Sequence, residues 1–104
     1  MLVNDPATKS AVEAAFRRYE TALVSNDVAT LNELFWKDPA TIRYGIGENL
    51  YGYDEIKAFR GARPNVDLQR SLERTVITTF GTTMATASTL FRRGSDKIGR
   101  QMQT

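Results

Sequence analysis

The sequence predicts one α+β domain over residues 1–104, with three N-terminal helices packed on a curved, mostly antiparallel sheet. Two observations predict it. The segment order runs helix, helix, short strand, helix, and then an antiparallel meander rich in Thr, Val and Ile. The composition, 41% hydrophobic and 25% charged over 104 residues, is that of a globular chain with enough apolar mass for a single core.

Each element has a local cause. Asp5-Pro6 is a helix start, with Asp as cap and Pro in the first turn. Val12, Phe16, Tyr19 and Leu23 recur at three- and four-residue spacing, which predicts an amphipathic helix over 6–24. Ser25-Asn26-Asp27 breaks it. Asp27 then caps a short second helix that carries Leu31, Leu34 and Phe35, and Asp38-Pro39 ends that helix, because a residue before Pro avoids the helical region. Residues 40–44 read as a strand, with Thr41 and Arg43 on one face and Ile42 and Tyr44, as core or interface residues, on the other. Gly45, Gly47 and Gly52 mark turns around Tyr51. A third helix over 53–62 turns Ile56 and Phe59 inward and stops at Arg63-Pro64.

The remainder is β. Residues 68–80 form a long strand, Gly81-Thr82 a hairpin turn, 83–92 its partner, and 93–97 a second turn. Residues 98–104 begin a further strand with no closing partner. An unpaired edge needs cover. Either a second copy covers it or a further C-terminal strand follows, and the second is the expectation. The first helix would line a cone whose other wall is the sheet, and such cones hold small molecules at their mouths.

Composition excludes much chemistry. The chain has no histidine and no cysteine, but ten arginines and ten aromatics. Without these residues there is no Ser-His-Asp triad, no thiol nucleophile, no zinc site on nitrogen or sulfur, and no disulfide. Asp38, Glu48 and Asp54 are scattered acids in loops, so no metal or other cofactor is expected. Gly45-x-Gly47 lacks the further glycine and the Lys-Ser or Lys-Thr of a phosphate loop. Lys plus Arg exceeds Asp plus Glu by only 14 to 12, a net charge of +2. The acids are interspersed, so no nucleic-acid partner is expected. No apolar run approaches the ~20 residues that cross a bilayer, and residues 1–6 lack the basic-then-apolar order of a secretory leader. The expected address is the cytoplasm and the expected assembly a homodimer. Catalysis, if any, falls to Tyr, Arg, Lys, Asp and Glu, a set suited to a small anionic substrate.

Several stretches together are distinctive: Glu33-Leu-Phe-Trp-Lys-Asp-Pro39, Arg43-Tyr44-Gly45, Glu48-Asn49-Leu50-Tyr51-Gly52-Tyr53 and Ala58-Phe59-Arg60-Gly61-Ala62-Arg63-Pro64. With Arg74-Thr-Val-Ile-Thr-Thr-Phe80 and Ile98-Gly-Arg-Gln101, they resemble the AtzH-like proteins from about Val12 to Thr104. That family lies in the cystatin-like superfamily that includes nuclear transport factor 2 and the SnoaL-like cyclases. The resemblance implies a cystatin-like cone and a final long strand beyond the Gln-containing tail. It also implies small-amide and urea catabolism. The family's namesake is a decarboxylating amidohydrolase acting on 1,3-dicarboxyurea, and a relative is linked to oxalurate. The resemblance further implies that a tyrosine on the first helix and an arginine on the first strand carry the chemistry. The matching positions are Tyr19 and Arg43.

Those residue types suit the task. A guanidinium binds a carboxylate through two parallel bonds and stays charged. A phenol beside a guanidinium gives up its proton more readily, which suits donation to a leaving nitrogen. Both residues also have plain structural readings. Arg43 can pair with Glu48 or Glu73, and Tyr19 can be a core tyrosine bonded to backbone. Arg74 is a candidate second carboxylate clamp or part of a solvated face. Gln101, on one face with Gln103, is a candidate donor to a urea carbonyl or part of a polar edge. Asn49 and Tyr51, with Tyr53, form a Gly-flanked loop placed to close over the mouth or simply to turn the chain. Phe35 and Trp36 cannot face the same way, so one is core and the other a rim or dimer contact. Three functions fit: an enzyme on carboxylated ureas and amides, a non-catalytic small-anion-binding domain, and a dimerisation domain.

Overall fold

Helix α1 (Pro6–Val24) starts where the Asp5 carboxylate accepts the Thr8 backbone N–H at 3.0 Å and the Thr8 hydroxyl at 2.9 Å. The backbone bond first, and then the hydroxyl, hold the Asp5 carboxyl below its ordinary range. Asp27 caps α2 (Val28–Leu34) in the same way through Thr30. In this computed structural model, which describes residues 1–104, the chain continues through β1 (Ile42–Tyr44), β2 (Asn49–Tyr51), α3 (Tyr53–Ala62), β3 (Ser71–Phe80), β4 (Met84–Arg93) and β5 (Lys97–Gln103). Strands β3, β4 and β5 form an antiparallel sheet in that order, while β1 and β2 form a separate hairpin. The architecture is α+β, with all three helices preceding the main sheet.

Three local expectations are corrected. First, α2 stops at Leu34, before Asp38-Pro39 is reached, because Phe35 takes an extended conformation at φ −97° and ψ 142°. Its ring then meets Tyr19 at 5.9 Å between centroids, and Trp36 is left exposed. Second, residues 49–51 are a strand and not a loop: β2 pairs with β1 in the register Ile42↔Tyr51, Arg43↔Leu50 and Tyr44↔Asn49. Third, the two faces of β1 are reversed in burial. Ile42 and Tyr44 are exposed, and Arg43 is the half-buried residue between them. The arginine stem and guanidinium lie over Phe59, 5.3 Å from its ring centroid, so an aromatic of α3 covers the charged side chain.

The main sheet has one irregularity that decides what faces inward. Leu72 pairs with Phe91, and Ile77 with Ala87, both inward pairs. Between them the register slips, at Glu73 to Val76, and Arg74 sits at φ +55°. This is a β-bulge, and it changes the inward set of β3 from even to odd positions. On β5 the inward residues are Gly99, Gln101 and Gln103, paired to Phe91, Thr89 and Ala87. Gly99 is required here, since a Cβ would fall 2.1 Å from the tip of the Phe91 ring.

The apolar core gathers Tyr19, Ala22 and Leu23 of α1 with Leu31 of α2, flanked by Leu34 and Phe35. The N-terminal strap ties to the far end of β3: Val3 bridges Phe80, and the Asn4 N–H donates to the Thr79 carbonyl at 3.0 Å. No helix is long and apolar enough to cross a membrane.

Candidate functional site

Helix α3 buries one face, and a charge lies on it. Ile56, Phe59, Arg60 and Arg63 stand at the three-, four- and seven-residue offsets that share a helix face. Ile56 is 1% exposed and Arg60 is 0% exposed. The Arg60 guanidinium carbon lies 4.5 Å from the Phe35 ring centroid and 5.9 Å from that of Tyr19. None of its three nitrogens makes a well-aligned hydrogen bond in the chain, and the Tyr19 hydroxyl is a looser polar contact. A buried ion costs several kcal/mol after relaxation, about what partners must return. Two aromatic faces return only about 0.5–2 kcal/mol each. Burial accordingly pushes the guanidinium below its ordinary range, the charge on Arg43 pushes the same way, and Tyr19 opposes both.

Two neighbours share the condition. Arg63, just beyond the end of α3, has its Nε and Nη2 buried without partners, and Arg93, at the end of β4, has its Nε so placed. Both are lowered by burial first and by neighbouring guanidinium charges next. Arg43 opposes, and Tyr19 favours, the charge of Arg60, Arg63 and Arg93 alike. Tyr19 and Arg43 border the same cleft as Arg63 and Arg93.

Tyr19 is 7% exposed. The Tyr53 hydroxyl donates to the Asn32 carbonyl at 3.1 Å. Tyr19 has no such backbone bond and lies beside Arg60. Arg43 is partly committed, since its Nη1 donates to Glu48 Oε1 at 2.8 Å. Arg70 is committed on one edge: its Nε donates to Glu20 Oε2 at 2.8 Å, its Nη2 reaches both Glu20 Oε1 and Gln101 Oε1, and its guanidinium lies 4.5 Å from the Phe91 centroid. Gln101 passes the chain on to Gln103 at 3.0 Å.

These side chains line one open cleft between the inner sheet face, α1 and the β1–β2 hairpin. Tyr19, Arg43, Arg63, Arg70, Arg93 and Gln101 all border it. Its volume of about 2290 Å³ exceeds what one small molecule fills, so the site is the arginine-lined end and not the whole groove. A smaller cavity of about 150 Å³, lined mostly by apolar residues of α1 and β4, adjoins it across Tyr19 and Phe35.

Of the residues singled out from sequence, the structure brings Tyr19, Arg43 and Gln101 to this cleft, though Gln101 is engaged by Arg70. Arg74 borders the cleft with an exposed side chain at the bulge, and does not share the inward face of Arg70 and Leu72. Asn49 and Tyr51 lie on the outer face of the hairpin, where the Tyr51 hydroxyl meets that of Tyr44 at 3.1 Å, and neither borders the cleft. Arg60, Arg63 and Arg93 were missed as site residues. The available signal was an arginine at the fourth position after Ile56, on the stripe that the helix must bury. No three acids, histidines or cysteines converge on a point that would hold a metal.

A family model described as AtzH-like matches residues 1–104. The chain belongs to the AtzH-like family. A crystal structure of a protein of unknown function from the DUF3225 family, from Pectobacterium atrosepticum, is similar at 63% identity and a TM-score of 0.93, covering 97% of this chain and 80% of that one. A cystatin-like fold protein from Burkholderia xenovorans is similar at 49% identity and a TM-score of 0.92, covering 99% of this chain and 81% of that one. No curated protein matches. This AtzH-like chain accordingly has the cystatin-like fold, with the arginine cluster seated between its sheet and its helices.

Proposed function

We propose that this AtzH-like chain is an enzyme on small carboxylated ureas or amides, and that the arginine cluster around Tyr19 binds the substrate carboxylate. The observation that carries the reading is that Arg63 and Arg93 border the cleft with buried guanidinium N–H groups that have no partner. Such a group is stabilised by an anion that enters and supplies the missing bonds. Arg43 borders the same cleft, and Arg60, behind its lining against Phe35 and Tyr19, adds positive charge without bordering it.

In the proposed reaction the substrate carries a carboxylate on nitrogen. Arginines fix its oxygens. The carbon–nitrogen bond breaks, its electron pair goes to nitrogen, and carbon dioxide departs. The Tyr19 hydroxyl gives its proton to that nitrogen and is reprotonated from solvent. The neighbouring guanidinium charges stabilise the phenolate that Tyr19 becomes for that moment. The proposed substrate of this step resembles 1,3-dicarboxyurea, in keeping with the AtzH-like membership, whereas oxalurate, whose carboxylate is on carbon, would instead be cleaved by water at its amide bond.

Release of carbon dioxide or ammonia from oxalurate and from carboxylated ureas, followed in wild type and in Tyr19→Phe and Arg43→Ala, tests the reading. Turnover in wild type that falls in both variants supports it. Wild-type turnover unchanged in both variants removes Tyr19 and Arg43 from the chemistry.

A further inference from the structure

The arginine cluster is short of negative charge, and one side chain supplies what little it has. Four ion pairs exist in the fold, and only one engages an arginine of the cluster, Arg43 with Glu48. Glu20 is spent on Arg70. Asp67 and Asp96 border the cleft but are exposed and pair with no arginine. Glu48 touches Arg43 through Nη1 alone, so the rest of the guanidinium fork is unclaimed.

The local backbone is arranged to allow this contact. The turn between β1 and β2 closes with the Gly45 N–H donating to the Glu48 carbonyl at 2.9 Å. The Glu48 side chain then folds back across Gly45. A Cβ at Gly45 would fall 1.8 Å from Glu48 Oε1 and 2.3 Å from its carboxyl carbon. Any residue but glycine at 45 would push the carboxylate off Arg43.

We propose that Glu48 is a specificity-determining residue: an internal carboxylate that occupies one edge of Arg43 and thereby fixes how many negative charges a ligand brings to the cluster. The inference rests on the anion-site reading above. With Glu48 in place, the unpartnered N–H groups of Arg63 and Arg93 are offered to one acidic group. A second acidic group on the ligand has to share Arg43 with Glu48, and like charges on one guanidinium repel. Removing the Glu48 charge opens the cluster to more highly charged anions.

Malonate and propionate have three carbons each and differ by one carboxylate, so their affinities by titration calorimetry isolate charge. Glu48→Gln keeps an acceptor for Arg43 Nη1 and removes only the charge. Malonate is expected to tighten about tenfold and propionate by at most about threefold, the scale of one screened unit charge at this range. Gly45→Ala, which displaces the intact carboxylate, is expected to shift the ratio in the same direction. A malonate-to-propionate ratio unchanged in Glu48→Gln overturns the proposal. So does loss of malonate binding in Gly45→Ala with wild-type binding in Glu48→Gln, which would make Glu48 a mere support for Arg43. Failure of the wild-type protein to bind either anion sinks the anion-site reading first, and this inference with it.

Discussion

Arg60 lies over Phe35, 4.5 Å from guanidinium carbon to ring centroid, and its nitrogens make no well-aligned hydrogen bond, with the Tyr19 hydroxyl a looser polar contact. The contact is possible because α2 ends early and turns Phe35 back toward α1. A charge in such a place weakens the free protein and strengthens its complex with an anion, and those two effects are separable.

Arg60→Met is expected to leave the free protein as stable as wild type or more stable, by about 1–2 kcal/mol, because exchanging a buried ion for an apolar side chain of similar volume is often favourable. The same variant is expected to reduce the rise in melting temperature that malonate gives the wild type, because the Arg60 charge adds to the field of the bordering arginines. Thermal melts with and without malonate read both effects. A destabilised variant whose response to malonate is undiminished would place the anion elsewhere.

Tyr19→Phe is expected to lower kcat on a carboxylated urea by about 100-fold or more, the range of general-acid catalysis, with KM within about threefold of wild type. Steady-state kinetics checks it. A rise in KM with kcat unchanged would make Tyr19 a binding residue.

Gly99→Ala forces a methyl group into the Phe91 ring, which supports the Arg70 guanidinium on its other contact. The cost of overpacking is typically about 1–3 kcal/mol. Urea unfolding is expected to show a lower midpoint with an unchanged slope, and a midpoint equal to wild type would mean that the ring moves aside freely.

Acid stability depends on the two helix caps. The folded values of Asp5 and Asp27 lie below the ordinary 3.8. Each therefore contributes stability that is fully present above that value and is lost as pH falls through the folded one. Asp5→Asn is expected to flatten the acid limb of a stability-against-pH curve below about pH 4 while leaving its slope above pH 5 unchanged. Circular dichroism melts across pH 2–6 check the sign.

The helices were legible because their signals are local. Asp5-Pro6, Asp27 and the Ile56 stripe fix starts and faces from a few adjacent residues, and α1 and α3 occupy the predicted ranges. Tyr19 and Arg43 were singled out through the family resemblance, and Arg43 also through the strand parity that sets it apart from Ile42 and Tyr44; the structure brings both to the cleft. What stayed hidden is tertiary. Ile42 and Tyr44 look like core by composition, yet Phe59 covers the arginine between them and leaves the two apolar residues outside. The burial of Arg60 depends on Phe35 arriving from another helix, and no window of sequence around residue 60 contains that fact. Arg74 departs from the face of Arg70 because of a bulge that alternation alone cannot foresee.

That bulge has a wider consequence. It divides β3 into two stretches with separate duties. The stretch before it pairs Leu72 with Phe91 just after Arg70, which borders the cleft, and the stretch after it presents Ile77 and Thr79 to the packed interior. Because the dislocation lies between them, residues in the leading stretch can change to suit a new substrate while the trailing stretch keeps its contacts. A single ribbon thus supports diversification at one end and durability at the other.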